Sequence, residues 1–245
     1  MDGVALGARF SLATNRLNFC GPADAEPTLY RAITEGVDLG PARAALERFE
    51  ALFPYLQAIG AKHDLDPFDR QVVEAYWIGN RLLDAFGPDD FRAILAALCR
   101  RGLPRATAER LAAHLPSDPI PHHAFHVSFV GVGEVTGHVA TTLANMEQCR
   151  PTLASVARVN AGTLDVEHPV LSIDGGRLGL TGRRLETLPY DPRILPGIRP
   201  GADVALHWRH PALLLDRDAA ERLDRYSARS FAAASEGLER LRLLR

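Results

Sequence analysis

Cysteine is scarce in this chain of 245 residues: only Cys20, Cys99 and Cys149 occur. An odd, scattered set cannot build a disulfide framework, and it fits a reducing cytoplasm. Lysine is scarcer still, with Lys62 alone among 28 basic residues. The formal net charge of −2 leaves no basic surface for phosphates, which excludes a generic nucleic-acid binder. Arginine is abundant beside Ala, Leu, Gly and Pro. This reads as genomic base composition, not as an arginine-recognition surface. No apolar run approaches the ~18 residues of a membrane span. The first ten residues lack the basic stretch and apolar run of a secretory signal. A cytoplasmic protein without a membrane segment is therefore expected. Internal repeats and low-complexity stretches are absent as well.

What is present is histidine in a dense cluster. Three of the nine histidines fall within Pro121-His122-His123-Ala124-Phe125-His126-Val127. Imidazole is the commonest metal ligand and the usual proton carrier near neutral pH. His122 and His126 share a face on a helix and on a strand alike, so the pair can grip one ion in either case. His123 then points elsewhere and is a catalytic candidate. No Glu follows in the HExxH manner, which removes the zinc-protease reading. Structural use, with the rings bonded to backbone carbonyls at a buried joint, is the competing interpretation.

The N-terminal half reads as helical. Residues 1–28 show little periodicity and are expected to form an irregular arm. Leu46, Phe49, Leu52, Phe53 and Leu56 make one apolar stripe that Pro54 kinks or ends. Asp66-Pro67 caps a helix bearing Val72, Val73, Tyr76 and Trp77. A third helix carries Phe91, Ile94, Leu95 and Leu98, and a fourth runs from Pro104 to His114. His122–Gly131 is compatible with strand or helix, and Val139–Gln148 reads as helical.

After Cys149 the texture changes. Val156–Val159, Thr163–Val166, Val170–Ile173, Leu178–Leu180 and Val204–Trp208 are short β-prone runs. Asn160-Ala161-Gly162, Glu167-His168-Pro169 and Asp174-Gly175-Gly176 separate several of them as turns. The spacing predicts a small barrel. Asp216 then caps a last helix with Ala219, Leu223, Tyr226 and Phe231 on its apolar stripe. The expected architecture is α+β: a mainly helical unit over 1–148, then a β-barrel plus C-terminal helix over 149–245.

Other candidates are fewer. Cys20 sits in Asn18-Phe19-Cys20-Gly21-Pro22, where Gly-Pro leaves the thiol on a sharp turn as a possible ligand or nucleophile. Cys99 lies on an apolar helix face. Glu74, Asp84 and the Asp89-Asp90 pair read as solvated helix faces or caps. Trp77 and Trp208 read as core aromatics.

Residues 149–224 resemble the small hydrogenase-maturation chaperones of the HypC type. The resemblance rests on Cys149, on Ala157-Arg158-Val159-Asn160-Ala161-Gly162, on Gly201-Ala202-Asp203-Val204-Ala205-Leu206-His207 and on Leu215-Asp216. It implies an OB-like barrel that opens at a cysteine and closes with a helix. It also implies that Cys149 and His207 handle iron for a nickel–iron centre. The whole chain is similar to an uncharacterised bacterial family encoded near hydrogenase accessory genes. That similarity lies in Gly7-Ala8-Arg9-Phe10, Phe19-Cys20-Gly21-Pro22, Val73–Asn80, His122–Val127 and the Cys149 segment.

The expectation is an accessory protein in metal-centre maturation. Cys149 and His207 would be ligands to iron, with His122 and His126 as a second site or relay. Its partners would be a hydrogenase large subunit or other maturation proteins. A metal-dependent enzyme built on His122, His126 and Cys20 is the alternative, and a metal-free docking module is the third reading.

Overall fold

The computed structural model describes residues 1–37 and 39–241. Asp38 and residues 242–245, which belong to the expected 1–148 and 149–245 units, lie outside the described residues.

Among the described residues, nine α-helices precede the sheet: α1 (Gly3–Arg16), α2 (Glu26–Thr34), α3 (Leu39–Leu46), α4 (Phe53–Lys62), α5 (Arg70–Trp77), α6 (Pro88–Cys99), α7 (Arg105–Ala113), α8 (His123–Phe125) and α9 (Leu143–Cys149). The sheet consists of β1 (Thr152–Asn160), β2 (Thr163–Asp174), β3 (Arg177–Pro189), β4 (Asp203–His207) and β5 (His210–Leu215). The long α10 (Arg217–Leu241) follows. The fold class is α+β, as the sequence indicates.

The arm expected over residues 1–28 is in fact α1 and the start of α2. Asp2 caps α1 by accepting from Val4 N–H at 2.8 Å. Almost every residue from Gly3 to Asn15 is buried. A helix enclosed on all sides shows no polar face and hence no periodicity to read. Gly3 and Gly7 permit that enclosure: a Cβ on Gly3 would stand 1.9 Å from the Phe68 carbonyl oxygen. Pro54 opens α4 instead of ending the stripe, because a first-turn proline has no N–H to satisfy.

The expected barrel does not close. The five strands form an open antiparallel sheet in the order β3-β2-β1-β4-β5, so the two end strands do not pair with each other. Helices pack against both ends instead, α10 on β3 and α1 on β5. Ser235 of α10 accepts the Leu178 N–H of β3 at 2.8 Å. Glu167-His168-Pro169 is not a turn. β2 runs through it with a register shift between His168 and Val170, a bulge at the residue that has no N–H to give. β5 was not foreseen. A two-residue hairpin at Trp208 and Arg209 joins it to β4, with φ of 49° and 61°. Such left-handed pairs match strand twist, at about 1–2 kcal/mol per non-glycine residue.

One hydrophobic core runs from α1 through α5, α8 and Cys149 to the helix-facing side of the sheet and α10. A smaller cluster, including Val156, Val166, Val204 and Leu206, occupies the other face of the sheet. Among the described residues, no helix is long and apolar enough to cross a membrane.

Candidate metal centre

His123, Cys149 and His207 converge inside the large core, where each offers one ligand atom and these atoms all lie within 4.8 Å of one another. Each arrives on a different element. His123 opens α8, a single turn that runs directly into a π-helical segment over 126–131. Wide turns of this kind are common at functional sites. His122 caps the turn, with its Nδ1 accepting from Ala124 N–H at 3.2 Å. Cys149 is the last residue of α9. It is held there by Arg150, which is almost wholly buried and donates to Glu147 and to the Pro169 carbonyl. His207 ends β4, and the left-handed Trp208 that follows donates its N–H to Gln148 at 2.6 Å. That bond ties the hairpin to α9 and brings Cys149 beside His207, 58 residues away in the chain.

The two sulfur–nitrogen spacings suit a four-coordinate ion. Cys149 Sγ lies 3.5 Å from His123 Nε2 and 3.9 Å from His207 Nε2. Metal–sulfur and metal–nitrogen bonds of ~2.3 and ~2.05 Å at a tetrahedral angle put the two ligand atoms ~3.6 Å apart. His207 Nδ1–H donates to the Phe10 carbonyl at 2.6 Å, which leaves Nε2 with its lone pair toward the sulfur. His123 Nδ1 meets the Tyr76 hydroxyl at 2.7 Å, while its Nε2 lies 3.1 Å from the Cys149 carbonyl. Without an ion, Nε2–H donates to that carbonyl and Tyr76 O–H donates to Nδ1. Ligation needs the reverse tautomer, with Nδ1–H donating to Tyr76.

The surroundings are aromatic and dry. Phe10 stacks on Trp77 at 4.7 Å. The Trp77 ring in turn lies 4.3 Å from that of His123 and 4.9 Å from that of His207. Burial depresses His207 to about 4 and holds His123 well below its ordinary value, helped by its neighbours His207, His126 and His122. Both imidazoles are therefore neutral near pH 7, as ligation requires. Burial pushes the Cys149 thiol up, and Cys20 adds to this. The Trp208 indole N–H lies close enough to favour the thiolate, yet falls short of a hydrogen bond to it.

A cavity of about 60 Å³ adjoins the cluster. Cys20 and His126 also line it. Cys20 Sγ–H donates to Glu50 at 3.4 Å, and burial followed by the Glu50 charge pushes that thiol up to about 12. His126 Nδ1 meets the Tyr55 hydroxyl at 2.9 Å. His122 stands apart. Its ring faces Ser230 of α10, with Nδ1 3.3 Å from the hydroxyl, and it does not line the cavity. Cys99 ends α6 away from the cluster. Glu74, Asp84 and Asp90 form ion pairs with Arg222, Arg229 and Lys62. Tyr76, Trp77 and Trp208 surround the cluster although their sequence context reads as core.

A wider cleft of about 640 Å³ lies on the outer side of α9 and β4. His168 there is bracketed by Glu147 and Glu186, and Arg209 pairs with Glu186 at 2.7 Å. Most of these charges satisfy one another.

Fold and site together define a mixed α+β protein with a buried Cys/His cluster. Residues 1–240 match a family of unknown function, DUF6390, and the chain belongs to it. No curated protein and no solved structure matches the chain.

Proposed function

We propose that this protein holds a transition-metal ion at His123, Cys149 and His207. What supports the reading is one convergence: a sulfur and two imidazole nitrogens within 4.8 Å of one another in the core. Neutral imidazole and thiolate together suit borderline-soft divalent ions, iron(II), zinc(II) and cobalt(II) among them. Three protein ligands leave a fourth position free, the arrangement of sites that do chemistry rather than only bracing a fold. Iron is the ion we favour, in line with the likeness of residues 149–224 to hydrogenase-maturation chaperones.

The role proposed is accessory: the centre would serve nickel–iron maturation beside a hydrogenase large subunit or another maturation protein. Burial qualifies that role. Cys149 and His207 are both under a tenth exposed, so delivery of an ion to a partner requires the covering segments to part. The adjoining cavity favours a second reading, a resident centre in a metal-dependent enzyme, with Cys20 and His126 also lining it.

Elemental analysis of protein purified without oxygen tests the common element of both. About one equivalent of metal in the wild type, lost in Cys149→Ser and His207→Ala, is expected. Metal-free protein that takes up no iron, zinc or cobalt on anaerobic reconstitution would remove the proposal. Capture of a hydrogenase large subunit only by metal-loaded protein separates the accessory role from the enzyme.

A further inference from the structure

Among the described residues, the cavity beside the cluster is walled mostly by apolar side chains, with a few donors and no charged side chain. Ser11, Trp77 and Trp208 all line it, each at most 4% exposed. The Ser11 hydroxyl and both indole N–H groups lack a hydrogen-bond partner among the described residues. Buried polar groups left unpaired cost about 1–3 kcal/mol each, so three around one hollow need an explanation. An indole N–H can only donate. The ligand that satisfies these groups must therefore supply acceptors. No Asp, Glu, Lys or Arg lines the cavity.

Charge gives the sign. A divalent ion with one thiolate and two neutral imidazoles carries a net +1 in the core. Isolated charge is expensive in a low-dielectric interior. One monoanion at the free coordination position makes the centre neutral. Size gives the class. A water needs ~10–15 Å³ of such a cavity, so about 60 Å³ admits only a few non-hydrogen atoms. Of the residues that line it, Phe19, Cys20, Ala51, Gly133, Thr136 and Val139 are half-buried, and Thr136 Oγ1 donates to the Phe19 carbonyl at 3.0 Å.

We infer that the cavity is a binding site for one small monoanion of at most about six non-hydrogen atoms, held between the metal position and the donors of Trp77, Trp208 and Ser11. This rests on the metal reading above.

The test uses the full chain loaded with one cobalt(II) without oxygen, with azide and formate as probes and benzoate as the oversized control. Azide is expected to shift the cobalt visible bands with a stoichiometry of one, and formate to compete with it. Benzoate should do neither. Trp77→Phe keeps the ring and removes the N–H, and Ser11→Ala removes the hydroxyl. Each should retain cobalt yet bind azide about 10–100-fold more weakly, as expected for one hydrogen bond to a charged group. If no cobalt loads, the metal reading and this inference fall together. If cobalt loads but its spectrum ignores azide, the inference alone falls. It falls equally if benzoate binds as azide does, or if both variants keep wild-type azide affinity. Should Trp77→Phe not fold, Ser11→Ala and the size comparison decide.

Discussion

Metal affinity should rise tenfold for each unit of pH across the neutral range, with a slope of one. In the metal-free protein His207 titrates at about 4 and His123 well below its ordinary value, because burial disfavours both imidazolium forms. Neither holds a proton at pH 6. The Cys149 thiol is pushed up by burial, so it keeps its proton throughout that range. Binding a divalent ion therefore expels one proton, from sulfur alone. Each pH unit is then worth about 1.4 kcal/mol of apparent binding energy, and pH 6 to 8 about a hundredfold in affinity. An exposed site of the same composition behaves otherwise. Its histidines, near 6.5, would compete for metal around pH 6 and steepen the slope toward three, and its thiol would flatten the curve above ~8.5. The assay is a competition titration with a chelator of known proton affinity, reading the sulfur-to-cobalt charge-transfer band from pH 6 to 9. A slope of two or more near pH 6, or a flat line anywhere below pH 9, would refute the reasoning that burial sets these protonation states.

Three further outcomes follow from the same packing. Tyr76→Phe removes the group that holds His123 Nδ1 at 2.7 Å, and should weaken metal binding about 10–100-fold while costing the fold only about 1 kcal/mol, read by chelator competition and urea unfolding. His122 titrates at about 3, and His126 and His207 at about 4, all lowered by burial. The stability they contribute is present above the unfolded value near 6.5 and is lost as pH falls toward those folded values. Each costs up to about 1.4 kcal/mol per unit below 6.5, so the urea midpoint should drop steeply between pH 6 and 5, and an unchanged midpoint would contradict neutral burial. Gly3→Ala puts a methyl 1.9 Å from the Phe68 carbonyl oxygen and should destabilise by about 1–3 kcal/mol. Thermal unfolding would show this as a loss of several degrees, and an unaltered midpoint would mean that α1 is not packed so closely.

Much of the helical half was legible because its helices are amphipathic. Phe91, Ile94, Leu95 and Leu98 form a stripe in the sequence and lie buried on α6. α1 was invisible for the opposite reason, being enclosed on all sides. Strands were found where Gly-containing turns punctuate them, as at Gly162 and Gly175-Gly176, where φ is positive. At Pro169 the sequence indicates a turn where β2 is continuous, since a bulge and a turn leave the same local mark. Closure of the sheet could not be read at all. It depends on whether β3 meets β5 or α10, and the packing of α10 and α1 against the end strands decides it.

The sequence by itself determined the α+β class, the approximate placement of α6, α7, β4 and the start of α10, and a short inventory of residues able to bind metal. Which members of that inventory meet was decided only in three dimensions. On paper His122 and His126 are the pair able to grip an ion and His123 points elsewhere, yet it is His123 that turns its Nε2 toward Cys149, while His122 caps its own turn. Spacing along a helix fixes which side chains share a face. The partner that the face meets is set by a bond such as Trp208 N–H to the Gln148 carbonyl, which joins segments far apart in the chain and has no local signature.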